Sequence, residues 1–316
     1  MILSYSNVMK INLLKKIHRF FIRGLYLELN QIKRLAGEAA ILASNSNSKS
    51  FNKLWDSEVK VSSQWGEDGI LNYICNTIKV SKPRILEIGA GDFKECNSRF
   101  LIEMRNASAV LVDSNLNLAE NLKKSNLEWK THIMAVHEWV TPDNVNNIVS
   151  KARKFLSGID ILSLDLDGND YWILKEIDLE SVKVIVVEYN PIFGATSPLT
   201  IPRKDDFNRT NAHFSNLYWG GSIVAFNNLL GDKDYKLIGS NRVGCNAFFV
   251  KSEFHELFNN LDPVILSELV DWRVRESRDA NGKKTYLSSF DSKAAIKDCL
   301  VENISTGEIL KLKDAI

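Results

Sequence analysis

From Val59 onward one pattern repeats: a short apolar run, an amphipathic stretch, then another apolar run. Seven segments read as strands, at 84–88, 109–113, 131–136, 160–165, 182–188, 235–239 and 247–250. Amphipathic stretches at 116–125, 144–156, 171–177 and 214–230 read as helices between them. Strands alternating with helices predict a doubly wound, mainly parallel α/β sheet covered on both faces. In such sheets ligands sit beyond the carboxyl ends of the strands, near the switch in strand order. The residues at the strand ends therefore decide what the chain does.

Five of those ends are polar. The first strand closes with Glu87-Ile88-Gly89-Ala90-Gly91-Asp92. Glycines there let the backbone take positive φ and let a ligand lie close. A helix is expected soon after Lys94, its free amides aimed at the turn. Asp113 and Ser114 close the second strand, where an acid can accept both hydroxyls of a ribose. His137-Glu138 close the third, "DLDGND" from Asp165 the fourth, and "EYNP" from Glu188 the fifth. Buried charges cost desolvation unless a ligand, metal or water meets them, so this pattern marks an active site. A dinucleotide turn would place a third glycine where Lys94 stands. The set instead suits a nucleoside lacking a pyrophosphate, with S-adenosylmethionine the obvious candidate. Its cationic amino-acid half would face the acidic turn, its ribose Asp113, and its adenine His137.

Asp165 and Asp167 stand two residues apart, as do Glu188 and Asn190 at the next strand's end. Adjacent strands lie about 4.8 Å apart, so these groups can converge. Carboxylates with an amide oxygen suit a hard cation such as Mg²⁺. Without a metal, Asp165, His137 or His213 would serve as general base. The plainer reading makes Asp167 and Asp170 helix caps and pairs Glu188 with an arginine. Tyr171, Trp172, Tyr189, Phe193, Tyr218 and Trp219 lie near the same ends and could stack against sugar rings. The stretch 191–214 is long and lacks periodicity, as a lid or binding loop does. It is assigned to the acceptor, with Arg203 and Arg209 available for a phosphate or acidic sugar.

Residues 1–50 differ in character. Leu13, Leu14, Ile17, Phe20, Phe21 and Leu25 recur at helical spacing among Lys15, Lys16, Arg19 and Arg23. This reads as a basic amphipathic helix, packed on its own domain or on a second copy as a homo-oligomer interface, or lying on the anionic inner face of a membrane. Residues 44–50 read as a linker, 51–255 as the main domain, and 256–316 as a helical or irregular C-terminal segment. The formal charge of +1 makes no case for nucleic acid. Four scattered cysteines, without a paired spacing, point to a reducing cytoplasm rather than a disulfide framework.

"LEIGAGDF", "VLVDSN", "LDLDGNDYWIL", "VVEYNP", "YWGGSIVAF" and "GCNAFFV" occur in that order. Together they resemble a group of bacterial S-adenosylmethionine-dependent methyltransferases related to the FkbM type, associated with surface-polysaccharide and glycan biosynthesis. "SQWGEDGIL" resembles the segment preceding the first strand in that group. The resemblance spans roughly residues 62–250 and leaves the basic helix outside it. It implies a Rossmann-like, seven-stranded methyltransferase sheet. Glu87, Gly89 and Gly91 would form the methionine-side turn, Asp113 the ribose acceptor, and Gln64 and Glu67 would lie near the cofactor. The residues themselves also allow Ser62 or Ser63 to cap a helix there, with Glu67 in its first turn. The acids of strands four and five resemble those of O-methyltransferases that ligate Mg²⁺, where the metal orients and acidifies a hydroxyl. The reading is O-methylation of a sugar in a surface glycan or its nucleotide- or lipid-linked precursor. A non-catalytic scaffold pairing through residues 1–50 and a nicotinamide-dependent oxidoreductase are the alternatives.

Overall fold

A computed structural model describes residues 51–262 and 276–316, with positions 22, 24–25, 28–29 and 31–43 of the N-terminal segment. The basic stripe from Leu13 to Phe21 lies outside the described residues. Among those described, no helix is long and apolar enough to cross a membrane.

Seven strands form the main sheet: β1 (Arg84–Ile88), β2 (Ser108–Asp113), β3 (Ile133–His137), β4 (Ile161–Leu164), β5 (Val184–Glu188), β7 (Tyr235–Ser240) and β8 (Asn246–Lys251). Their order is β3-β2-β1-β4-β5-β8-β7. The first five run parallel, while β8 is antiparallel to both its neighbours. This is the doubly wound, mainly parallel sheet expected from the alternation.

Period-two alternation sends successive residues to opposite faces. Ile85, Ala109, Leu111, Ile161 and Val186 join one core with α1 (Glu67–Thr77), α2 (Arg99–Arg105) and α3 (Asn117–Ser125). Leu86, Val110, Leu162 and Val187 join the other with α4 (Val145–Leu156), α5 (Asp170–Glu176) and α6 (Ile223–Asp232). The chain leaves β1 toward β2 and β3, then returns to β4 beside β1. The switch point therefore lies between β1 and β4.

Two elements depart from expectation. The stretch 214–230 is not one helix: only Ile223–Asp232 is helical, with Ser222 accepting from the Ala225 amide as its cap. Gly220, at φ +64, ends the preceding loop. The segment from 256 holds more than helix and irregular chain. There β9 (Leu300–Asn303) and β10 (Glu308–Lys311) form a hairpin, and β9 pairs with β6 (Leu199–Thr200) of the expected lid. This small sheet encloses a third core that includes Phe193, Ile201, Phe207, Trp219 and Val301.

Candidate active site

The turn after β1 is tied to its neighbours on both sides. Gly89 donates to the Val112 carbonyl at 2.8 Å, and Asp165 donates its amide to Ile88 at 2.9 Å. A Cβ on Gly89, at φ +92, would stand 1.6 Å from the Asp165 carbonyl oxygen. Glycine is obligatory there for close approach of β4. Gly91, at φ +59, differs: nothing lies within 4 Å of where its Cβ would be. Its amide donates to Asp113 Oδ2 at 2.7 Å, and the Asn115 amide donates to Oδ1 at 2.7 Å. Asp113 thus braces the turn. A carboxylate has about four lone-pair sites, so two remain for a ligand's hydroxyls.

The helix expected after Lys94 begins only at Arg99. The amides before it do not face the turn. Asn97 and Ser98 donate theirs to Glu87 at 2.7 and 3.0 Å, and the Ser98 hydroxyl donates to Glu87 as well. Glu87 is thus engaged by these donors and does not line the cleft at the switch point. It lies on the opposite face of β1 from Leu86 and Ile88 and is buried, its pKa raised by that burial and partly restrained by these donors.

A cleft of about 320 Å³ opens at the switch point, within the range of small-molecule sites. Gly89, Gly91, Asp113 and Ser114 form one wall, Asp165, Asp167 and Asn169 the floor, and Trp139 and Phe207 the rim. His137 does not line it: the ring is exposed, with Nε2 2.8 Å from the Ser114 carbonyl. Trp139, two residues on, lines it instead. The rule that singled out His137 and Glu138 would have found Trp139 had it been carried past the strand end.

Gln64 is exposed and Glu67 is buried away from the cleft. Glu67 accepts from Asn241 and Asn246 at 2.7 and 2.9 Å, clasping α1 to the β7–β8 turn. By position the N-cap of α1 is Gly66, but the Ser63 hydroxyl accepts from the Asp68 amide in the first turn at 3.2 Å, so Ser63 caps the helix as expected. Ser63 and its neighbours also donate to the Asp68 carboxylate.

At the ends of β4 and β5 the carboxylates of Asp165, Asp167 and Glu188 lie within 4.8 Å of one another. Burial, then the charges of Glu188 and Asp167, push the Asp165 carboxyl well above its ordinary range, and it shares a hydrogen bond with Glu188. Asp167 reaches the cluster from a left-handed residue (φ +54) after the strand has ended, not as a continuation of it. It also pairs with Arg209. Asn190 does not join. Its amide donates to the Leu217 and Trp219 carbonyls at 2.9 and 3.0 Å and accepts from Ile192 at 3.1 Å. Asp170 is a loop cap, accepting from Leu166 and Gly168 at 2.7 and 2.9 Å. Burial nevertheless raises its pKa to about 6.

Segment 191–214 covers this end of the sheet. Asn169 holds it by donating to the Lys204 carbonyl at 2.6 Å, and Trp139 donates to the Asp205 carbonyl at 3.0 Å. Beyond Phe207 lies a second cavity of about 430 Å³, lined by Arg203, Lys204, Asn208, Asn211 and Tyr218. The cations expected to be available are engaged. Arg209 pairs with Asp167 and stacks on Trp219 at 5.0 Å, while Arg203 bridges Asp143 and Asp205 at 2.6 and 3.0 Å. His213 is held by Ser215 at 2.7 Å, its pKa lowered by burial, and lines neither cavity. Tyr171, Tyr189, Phe193 and Trp219 are core residues. Trp172 caps the Ile201 carbonyl at 2.8 Å, which leaves Tyr218 as the aromatic of the expected set that lines a cavity.

No family model matches the chain. No curated protein matches it either. Similar solved structures include an O-methyltransferase family protein from Burkholderia thailandensis, 9% identical, covering 59% of this chain and 57% of that one at a TM-score of 0.34. A SAM-dependent methyltransferase from Aquifex aeolicus is 12% identical, covering 58% and 89% at a TM-score of 0.33. Human N-acetylserotonin methyltransferase in complex with SAM is 12% identical, covering 57% and 51% at a TM-score of 0.31. Across the first structures matched, this chain spans 57 to 61% of the other's length.

Proposed function

We propose that the chain is an S-adenosylmethionine-dependent methyltransferase acting on a hydroxyl, in a sugar of a bacterial surface glycan or its precursor. The observation that carries the reading is the meeting, at the β1/β4 switch point, of an open Gly91, a braced Asp113 and the Asp165–Glu188 pair. The open turn admits a ligand backbone that a side chain would exclude. Asp113 retains acceptor capacity for ribose hydroxyls. Acids on the floor favour a cationic ligand. When bound, the cofactor would supply a methyl group on a sulfonium and leave as a thioether. Burial and the neighbouring acids raise the pKa of Asp165, so once it releases its proton it is a stronger base than an ordinary carboxylate for taking that of the hydroxyl. Trp139 and Phe207 narrow the rim and exclude water. The second cavity, across Phe207, offers the Asn208 and Asn211 amides, Tyr218 and Lys204 to a polar acceptor.

A second reading is favoured by the three converging carboxylates: Asp165, Asp167 and Glu188 would hold Mg²⁺, with Asn190 withdrawn from the ligand set. That requires Asp167 to leave Arg209 and the Asp165–Glu188 pair to lose its proton.

Titration calorimetry with S-adenosylmethionine, its demethylated product and NAD tests the proposal. Binding of the first two without NAD is expected. Binding of NAD alone would favour the oxidoreductase, and binding of none the scaffold. Mass analysis of the native surface glycan with and without the protein tests the acceptor.

A further inference from the structure

Helical positions 31–43, with 22, 24–25 and 28–29, carry two distinct faces. One docks on the body. Gly37 abuts Val61 so closely that a Cβ would stand 2.3 Å from a Val61 methyl, Ile41 is buried, and Arg34 lies 3.9 Å from Glu103. Among the described residues nothing lies on the other face. Ile22, Leu25, Leu29, Ile32 and Leu35 follow three- and four-residue steps, hence one side of a helix, and all are more than half exposed. Beside this stripe, between helix and body, is a recess of about 180 Å³ with Lys33, Arg34, Lys60, Lys94 and Arg99, against Glu95 and Glu103. Arg99 and Arg34 share Glu103, and Lys94 pairs with Asp92. Among the described residues no acid pairs with Lys33 or Lys60.

We propose that this face lies on an anionic membrane surface, with the apolar stripe in the interface and the recess receiving a lipid phosphate. Charge selects the occupant. Residues 1–43 carry seven Lys or Arg and two Glu, a net +5, while the whole chain is +1, so the remainder is −4. A second copy meeting the first through this stripe would set +5 against +5. An anionic bilayer meets it with the opposite sign, and exposed apolar side chains flanked by cations are what such surfaces hold.

The test is flotation of the full chain with vesicles of phosphatidylcholine alone and with about one-third phosphatidylglycerol, at low and high salt, because only the charge-driven part is screened. Binding to the anionic vesicles at low salt and its loss at high salt are expected. Lys33→Ala and Lys60→Ala should each weaken partition about fivefold, the worth of one basic residue near such a surface. Leu29→Glu with Ile32→Glu should abolish it without changing the melting temperature, since both side chains are exposed. Equal binding to neutral vesicles, salt-insensitive binding, or failure to float would overturn the proposal, even if inorganic phosphate binds the recess. So would a dimer in sedimentation velocity that the Leu29→Glu, Ile32→Glu variant disperses.

Discussion

Replacing Asp165 by asparagine preserves the shape of the acid cluster and its hydrogen bond to Glu188 while removing one ionisable group. Burial and the neighbouring carboxylates lift the Asp165 carboxyl above its unfolded value, so the folded chain keeps a proton that the unfolded chain releases. That contribution to stability is complete below the unfolded value, about 3.9, and is lost as pH rises through the folded value. With both partners ionised, unit charges within 4.8 Å repel by about 3.5 kcal/mol at an effective dielectric of about 20. Arg209 beside Asp167 and the partial exposure of Asp165 reduce this to about 1–3 kcal/mol. Urea unfolding from about pH 5 to 9 should therefore show Asp165→Asn overtaking the wild type, the gain growing with pH. The same variant should lose methyl transfer by about 10²–10⁴. Added Mg²⁺ distinguishes the two readings of the cluster. A bound cation would stabilise the wild type by about 2.7 kcal/mol at a hundredfold excess over its dissociation constant and leave the variant unmoved. A gain independent of pH, or a variant that weakens as pH rises, would refute the proton-sharing argument.

The two turn glycines should separate fold from binding. Gly89→Ala drives a methyl into the Asp165 carbonyl and should prevent soluble folded protein, whereas Gly91→Ala should cost only about 1–2 kcal/mol of left-handed strain yet abolish calorimetric cofactor binding. Asp113→Asn should weaken S-adenosylmethionine by about 1.5–3 kcal/mol; unchanged affinity in a folded variant would remove Asp113 from the site. Asn190→Ala should lower unfolding free energy by about 2–4 kcal/mol through its lost hydrogen bonds and leave any response to Mg²⁺ intact, and an abolished response would return Asn190 to the cluster.

The seven strands and their carboxyl-end acids were legible because burial on both faces demands continuous apolar runs, and a polar residue at a run's end stands out against them. Gly89, Gly91, Asp113, Asp165, Asp167 and Glu188 all come from that signal, and the structure gathers them at one end of the sheet. Glu87 carries the same signal and a different role. One residue inside the strand end, the pleat turns it to the opposite face, where Asn97 and Ser98 take its carboxylate. Asn190 likewise shares the spacing of Glu188 but is consumed by carbonyls 27 and 29 residues away.

The amino-acid sequence by itself determined the layer architecture, the order of its elements and the acidic character of the strand ends, since these follow from local periodicity. Only the tertiary structure decided which polar groups face the cleft, because satisfying a buried carboxylate or amide depends on partners distant in the chain. It alone placed Trp139 and Phe207 at the rim, paired Arg209 with Asp167, and joined β6 to the C-terminal hairpin. A non-local pair leaves no period in the sequence, for either partner alone reads as an ordinary surface residue.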